Sequence, residues 1–233
     1  MPVNLSELLQ RIPVAKDEAK LLRDERDYAA AISRLRHAID EIDRSGWDDD
    51  VTAESQLDEP QRKIAWHLAD CLGMLGGNFR RNGELDKAIE SFDRGSKYEQ
   101  DKPYRVGTSY STVNAIIAPI EGKLRDAASQ VEALARAVAT IEQQIYEPQR
   151  AEEGRSGDRW AWADLGQCKL LLGDFDGARA AYQRFIELGD RESIRSSRDV
   201  LIGLQKALID KHDATAEIVG KGISLLQSEL GRK

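Results

Sequence analysis

Residues 162–188 read WADLGQCKLLLGDFDGARAAYQRFIEL. Large apolar residues recur there at helical spacing, and Gly173-Asp174 interrupts them once, so the stretch reads as two helices joined by a tight turn. Trp162, Leu165, Gly166, Gly173, Phe175, Ala178 and Tyr182 set its large, small and aromatic offsets. Leu72, Leu75, Gly76, Phe79, Gly83, Ala88 and Phe92 fill the same offsets, with Asn82-Gly83 as the turn. A helix pair of this size cannot bury its apolar face alone and must stack on neighbours. The pattern predicts a small residue where the paired helices cross, Gly76 opposite Ala88 and Gly166 opposite Ala178. Phe79, Phe92, Phe175 and Tyr182 are expected to fill the space between adjacent pairs.

Low proline content and leucine and alanine at helical spacing extend this reading along the chain, and no strand is expected. A first pair is expected at 5–22 and 27–44, turning at Arg26-Asp27, with Tyr28, Ala31, Leu35 and Ala38 on one face. Residues 45–60 lack apolar periodicity and carry Asp48, Asp49, Asp50, Glu54, Asp58 and Glu59, which predicts a solvated acidic loop. Lys102-Pro103 and Gly107 break the pattern, and helices are expected at 108–120 and 123–146, the second with Ala127, Leu134, Val138, Ile141 and Ile145 on one stripe. Pro148, Gly154 and Gly157 mark 147–158 as a flexible loop. Residues 193–208 and 214–230 form a last pair, read as a cap because a terminal repeat must present one face to water. The recurring alanine at Ala31, Ala88 and Ala178 has intervals of 57 and 90 residues. Neither is a multiple of the roughly 34-residue period of such repeats, so the joints are irregular. The expectation is an all-α fold, an α-solenoid of about five antiparallel helix pairs forming a single domain over 1–233.

The segments 69–102 and 159–192 resemble tetratricopeptide repeats (TPR), and 12–45 is a weaker match. A narrower resemblance lies in YEQDKPYRVGTSYSTVNAI followed by WAWADLGQCKLLLGDFDGA, similar to the repeat-containing TRAF-binding region of apoptosis-signalling kinases and its bacterial relatives. The asparagine-alanine pair of that family would be Asn114-Ala115, here preceded by a departing Gly-Thr-Ser-Tyr-Ser-Thr-Val. The tetratricopeptide resemblance implies a concave groove lined by the first helix of each pair. In that register Lys16, Lys20 and Arg23, then Arg80, then Trp160 and Gln167 fall on groove positions. The three basic residues, spaced four and three apart, read either as a cradle for an acidic or carboxylate-ended peptide or as a solvated face balanced by Asp17, Glu18 and Asp24. The carboxylate clamp of chaperone-binding tetratricopeptide domains is incomplete here, since it wants asparagine where Lys20 stands. Tyr98, Tyr104 and Tyr110 flank the central joint, where they either stack a ligand or seal the gap. Asn114 is a partner-binding candidate together with Tyr110, because an amide can pair with a peptide backbone.

Other chemistries find no support in the pattern. His37, His67 and His212 lie far apart in sequence, and His67 with Cys71 supplies only half of a metal site, so neither catalytic histidine nor metal nor cofactor is expected. Gly76-Gly77-Asn78 lacks the lysine-serine or lysine-threonine ending of a phosphate loop. Cys71 and Cys168 read as reduced core residues. A net charge of -7 argues against nucleic acid as partner. No apolar run reaches a membrane span and residues 1–20 lack signal-peptide character, so a soluble cytoplasmic protein is expected. The leading expectation is a non-enzymatic protein-protein interaction scaffold that binds a peptide or protein, with homo-oligomerisation compatible. The alternative is a sensory or regulatory domain answering a small molecule or partner near Tyr110 and Asn114.

Overall fold

The computed structural model describes residues 5–146, 155–211 and 213–232. Among them are ten α-helices, one 3-10 turn and no strand. In chain order the helices are α1 (Leu5–Asp24), α2 (Tyr28–Arg44), α3 (Glu59–Arg81), α4 (Leu85–Gln100), α5 (Tyr110–Glu121), α6 (Val131–Tyr146), α7 (Arg159–Leu171), α8 (Phe175–Leu188), α9 (Arg191–Asp210) and α10 (Thr215–Arg232). The fold is all-α and built of stacked helix hairpins, as the repeat pattern predicts. The chain divides into two compact units, 1–115 and 116–233.

In the first unit α1 pairs with α2 and α3 with α4, while α3 packs on both helices of the preceding hairpin. In the second unit α7 pairs with α8 and α9 with α10, and α6 lies against α7. Here α10 packs on both α7 and α8. Residues 147–154 of the expected flexible loop, and His212, lie outside the described residues. Arg155 is buried and tied to Gln144 at 2.8 Å and to Asp158 at 2.7 Å, so the described end of that loop is anchored.

One turn geometry recurs. Arg26, Gly83 and Gly173 all have φ between 64° and 83°, and each is followed by a residue whose N–H reaches back five positions: Asp27 to Leu22, Glu84 to Phe79 and Asp174 to Lys169, each at 2.9 Å. This left-handed cap satisfies carbonyls left open at the helix end, and glycine adopts it without steric strain. Asp27 and Asp174 then cap the next helix, accepting from the N–H of Ala30 and of Gly177. The same cap stands at Lys123, with φ 60° and Leu124 N–H bonded to the Pro119 carbonyl at 2.9 Å. This corrects the expected helix at 123–146: Lys123 ends α5, and the chain passes through a 3-10 turn at Ala127–Gln130 before α6 begins.

At the crossings Ala88 and Ala178 are fully buried, and the Phe92 ring lies directly against Gly76 and the Tyr182 ring against Gly166. Phe92 and Tyr182 are both fully buried. The ring one turn beyond the alanine fills the space that the missing side chain opens. Phe175 is half buried, with the Lys221 ammonium of α10 6.0 Å from its ring. On α10 the buried face is Ala216, Val219, Gly222, Leu226 and Leu230, leaving Ile218 and Ile223 half buried.

Two irregular joints are held by buried polar or aromatic groups. Within the acidic stretch 45–60, Trp47 and Leu57 are buried, and Trp47 packs on Tyr104 and Tyr98 at ring-centroid distances of 5.7 and 6.3 Å. The loop is therefore pinned at both ends while Asp49, Asp50 and Glu54 remain exposed. Tyr98 and Tyr104 seal this joint, and burial raises both phenols, with the Asp48 carboxylate adding to it. Farther on, the buried Glu99 carboxylate accepts from Ser111 N–H at 3.0 Å, Thr112 N–H at 2.7 Å and the Thr108 hydroxyl at 2.8 Å. It caps the start of α5 from the end of α4. Burial raises the Glu99 pKa against the pull of these bonds.

Two stability outcomes follow. A Cβ at Gly76 would stand 2.6–2.9 Å from Phe92 ring carbons; the clash outweighs the ~1 kcal/mol helix gain of alanine, and Gly76→Ala lowers unfolding free energy by about 1–2 kcal/mol in urea titrations. Glu99→Ala strands two buried N–H groups and lowers it by about 2–4 kcal/mol in the same measurement.

Candidate functional site

The residues singled out from the sequence separate by environment. Lys20 and Arg23 keep roughly half and a third of their side chains exposed and pair with Asp17 at 3.1 Å and Asp24 at 2.7 Å. Lys16, from the same row, is buried. Its ammonium forms an ion pair with Asp70, stands 3.4 Å from His67 Nδ1 and lies 4.4 Å over the Trp66 ring. The row therefore does not form one exposed basic face. One turn of α1 points it into α3, where the carboxylate and the aromatic face offset the desolvation of the charge.

Arg80, Asn114 and Tyr110 come together although 34 residues separate the first two. Arg80 Nη1 donates to Asn114 Oδ1 at 3.0 Å, and Asn114 Nδ2 donates to the Tyr110 carbonyl at 2.8 Å. The Tyr110 ring lies over Gly73, its hydroxyl near Gly77, and it meets Phe92 edge to face with centroids 5.9 Å apart. Asn114 is buried, while Arg80 and Tyr110 are half buried. The glycines leave room for the Tyr110 ring on α3, and the asparagine holds the guanidinium in place.

In the second unit Trp160 is exposed, with the Arg159 guanidinium 5.6 Å from its ring and Phe185 packed at 6.0 Å. Gln167 is buried, against its expected exposure. Position 167 falls on a stretch, 161–168, in which every residue is buried, because α7 is covered by α6, α8 and α10. Trp162 is in the core, its indole N–H donating to the Ser156 carbonyl at 2.9 Å.

Several residues escaped the sequence reading. Trp66, Asp70, Gly73, Gly77 and Arg81 recur at intervals of three and four on α3, which places them along one face. Trp66 is 40% exposed. The signal was this spacing, interrupted by Gly73 and Gly77, which carry no side chain to mark the face.

His67 is lowered to about 4, by burial first and then by Lys16, with Asp70 opposing. Burial pushes the Cys71 thiol up to about 12 and Cys168 higher still, and both cysteines are free. No group of three His, Cys, Asp or Glu side chains among the described residues is placed to hold a metal ion. No described helix is long and apolar enough to cross a membrane. An open depression of about 710 Å³ in the second unit, lined by Phe175, Gln205, Lys221 and Leu225 among others, and one of about 360 Å³ along α2 include none of the expected site residues.

If Asn114 is the acceptor that positions Arg80, Asn114→Leu removes both of its bonds, because leucine is close to asparagine in size and carries no polar atom on its side chain. Guanidine titration is expected to show a loss of about 1–3 kcal/mol.

No protein-family model and no curated protein matches the chain. Among solved structures it is similar to a kinesin light chain-like protein of Podosopora anserina with nearly identical TPR-like repeats, at 12% identity and TM-score 0.44, covering 97% of this chain and 99% of that one. BtubC (BKLC) from P. vanneervenii aligns at 16% identity and TM-score 0.35, covering 98% and 93%. The TPR2AB domain of yeast Sti1 in its complex with pHSP90 aligns at 14% identity and TM-score 0.28, covering 94% and 85%. By its own hairpin stacking, turn geometry and glycine-aromatic crossings, the described part of this chain has an all-α fold of stacked helix hairpins, the arrangement that the tetratricopeptide resemblance implies.

Proposed function

We propose that the chain is a non-enzymatic interaction module that receives a segment of a partner protein along the inner faces of α1, α3 and α5. The observation that supports this reading most is the Arg80–Asn114–Tyr110 cluster, in which a half-buried guanidinium is held by a buried amide beside two glycines of α3. A preorganised polar group on a rigid helix loses little freedom on binding. Lys20, Arg23, Arg80 and Tyr110 are the contact residues in this reading, and Lys16 and Asn114 position them. Trp66, 40% exposed on the same helix as Arg80, adds an aromatic contact. Trp160, backed by Phe185, is the corresponding contact of the second unit, with the buried Gln167 on the same helix. The excess of basic groups among these contacts favours an acidic segment.

Affinity capture from the native host with the wild type, a Lys20→Glu/Arg23→Glu variant, Arg80→Ala and an outer-face control, Glu90→Lys, tests the assignment. The first two variants are expected to reduce recovery of the wild-type partner at least tenfold, with the control unchanged. Equal recovery by all four proteins would remove these residues from the interface.

A further inference from the structure

Lys16 and His67 constrain each other's protonation. An ammonium only donates hydrogen bonds, so the imidazole facing it at 3.4 Å must present a bare Nδ1 and be neutral. Lys16 comes from α1 and His67 from α3, and the contact spans 51 residues of chain. Asp70 of α3 is the anion paired with Lys16. Neighbouring charged side chains of these helices and of α2 are engaged elsewhere: Lys20 with Asp17, Arg34 of α2 with Glu18 of α1, Arg11 of α1 with Glu41 of α2, and Lys63 with Glu59. Trp66 completes the surroundings, edge-on to the His67 ring at 4.9 Å and beneath the Lys16 ammonium. A proton added to His67 would therefore place two cations in contact with a single carboxylate between them.

We propose that the Lys16–His67 contact is an acid-sensitive latch that holds α1 on α3, and that protonating His67 releases α1 together with Lys20 and Arg23. The consequence for partner binding rests on the function proposed above; the latch does not. Its sign follows from the environment of the ring. In the docked state His67 titrates at about 4 against 6.5 for a free imidazole. A depressed folded value contributes docking stability that is complete above pH 6.5 and is lost as pH falls toward 4. Full linkage over that interval corresponds to about a 300-fold change in the docking equilibrium, and the remaining solvent access of the ring reduces it to between about 10- and 100-fold.

Hydrogen exchange on the full chain between pH 7 and pH 4.5, corrected for intrinsic exchange rates, tests the latch without any partner. Protection of α1 amides is expected to fall about 10- to 100-fold more than that of α7 and α8. His67→Gln, which keeps an acceptor and cannot titrate, is expected to abolish the excess. Lys16→Met, which removes the second cation, is expected to shrink it, with far-ultraviolet circular dichroism at pH 7 verifying that both variants are folded. An excess that persists in His67→Gln, or loss of protection in α1, α7 and α8 together in the wild type, overturns the proposal. Partner capture that fails while this pattern holds overturns the functional reading alone.

Discussion

The α1–α2, α3–α4 and α7–α8 hairpins are each closed by a residue held in the left-handed region, three positions after the last carbonyl it helps to satisfy. That single backbone state sets how the two helices leave the turn, and so which residues meet where they cross. Gly76 and Phe92 are 16 residues apart, as are Gly166 and Tyr182, and each pair brackets its turn in the same register. Once the turn is fixed, a side chain at the glycine would collide with the ring, and a smaller residue at the ring would leave a void. Ala19 and Leu35 occupy the same offsets about Arg26, both fully buried. The first hairpin thus follows the same rule with a less extreme pair of sizes.

Where the repeat gives out, the chain changes its means of cohesion. Apolar interdigitation is replaced by polar side chains that leave one element to satisfy another. Glu99 serves the open N–H groups of α5, Lys16 reaches Asp70 and His67, and Arg155 gathers Gln144 and Asp158. Such groups are worth having only when fully partnered, because a buried charge that loses its partner leaves the other one stranded. They specify one arrangement at joints where apolar contact would tolerate several. The same property makes these joints responsive to protonation, since hydrogen bonds to a titrating group are conditional in a way that a ring over a glycine is not.

The legibility of the structure in the amino-acid sequence follows this division. Gly83 and Gly173 announce their turns because glycine is the residue that left-handed backbone selects, and their hairpins are placed correctly from the sequence. Lys123 adopts the same conformation without being glycine, so the turn ending α5 is invisible in the pattern and the following helix is drawn too long. Trp47 sits among aspartates, and its burial is conferred by Tyr98 and Tyr104, about 50 residues away, with no local period to reveal it. Lys16 has the right spacing for a basic row, but whether a lysine meets water or a carboxylate depends on the neighbouring helix. Arg80, Tyr110 and Asn114 each stand out for separate reasons, and only the packing of α5 on α3 joins them.

The hairpin turns α1–α2, α3–α4 and α7–α8 are all three residues long, whereas the connections between hairpins run to 14 residues before α3, 9 before α5 and 2 before α9. A turn closed by a bond across five positions has no slack, and one extra residue would rotate the second helix off its partner by about 100°. The connections carry no such phase requirement. Changes of chain length in proteins built this way therefore collect between hairpins, and the hairpin is the unit that can be exchanged, duplicated or transplanted intact. The 45–58 connection, with its exposed acidic crest held at its feet by Trp47 and Leu57, is the place in this chain where a foreign segment would disturb no helical phase.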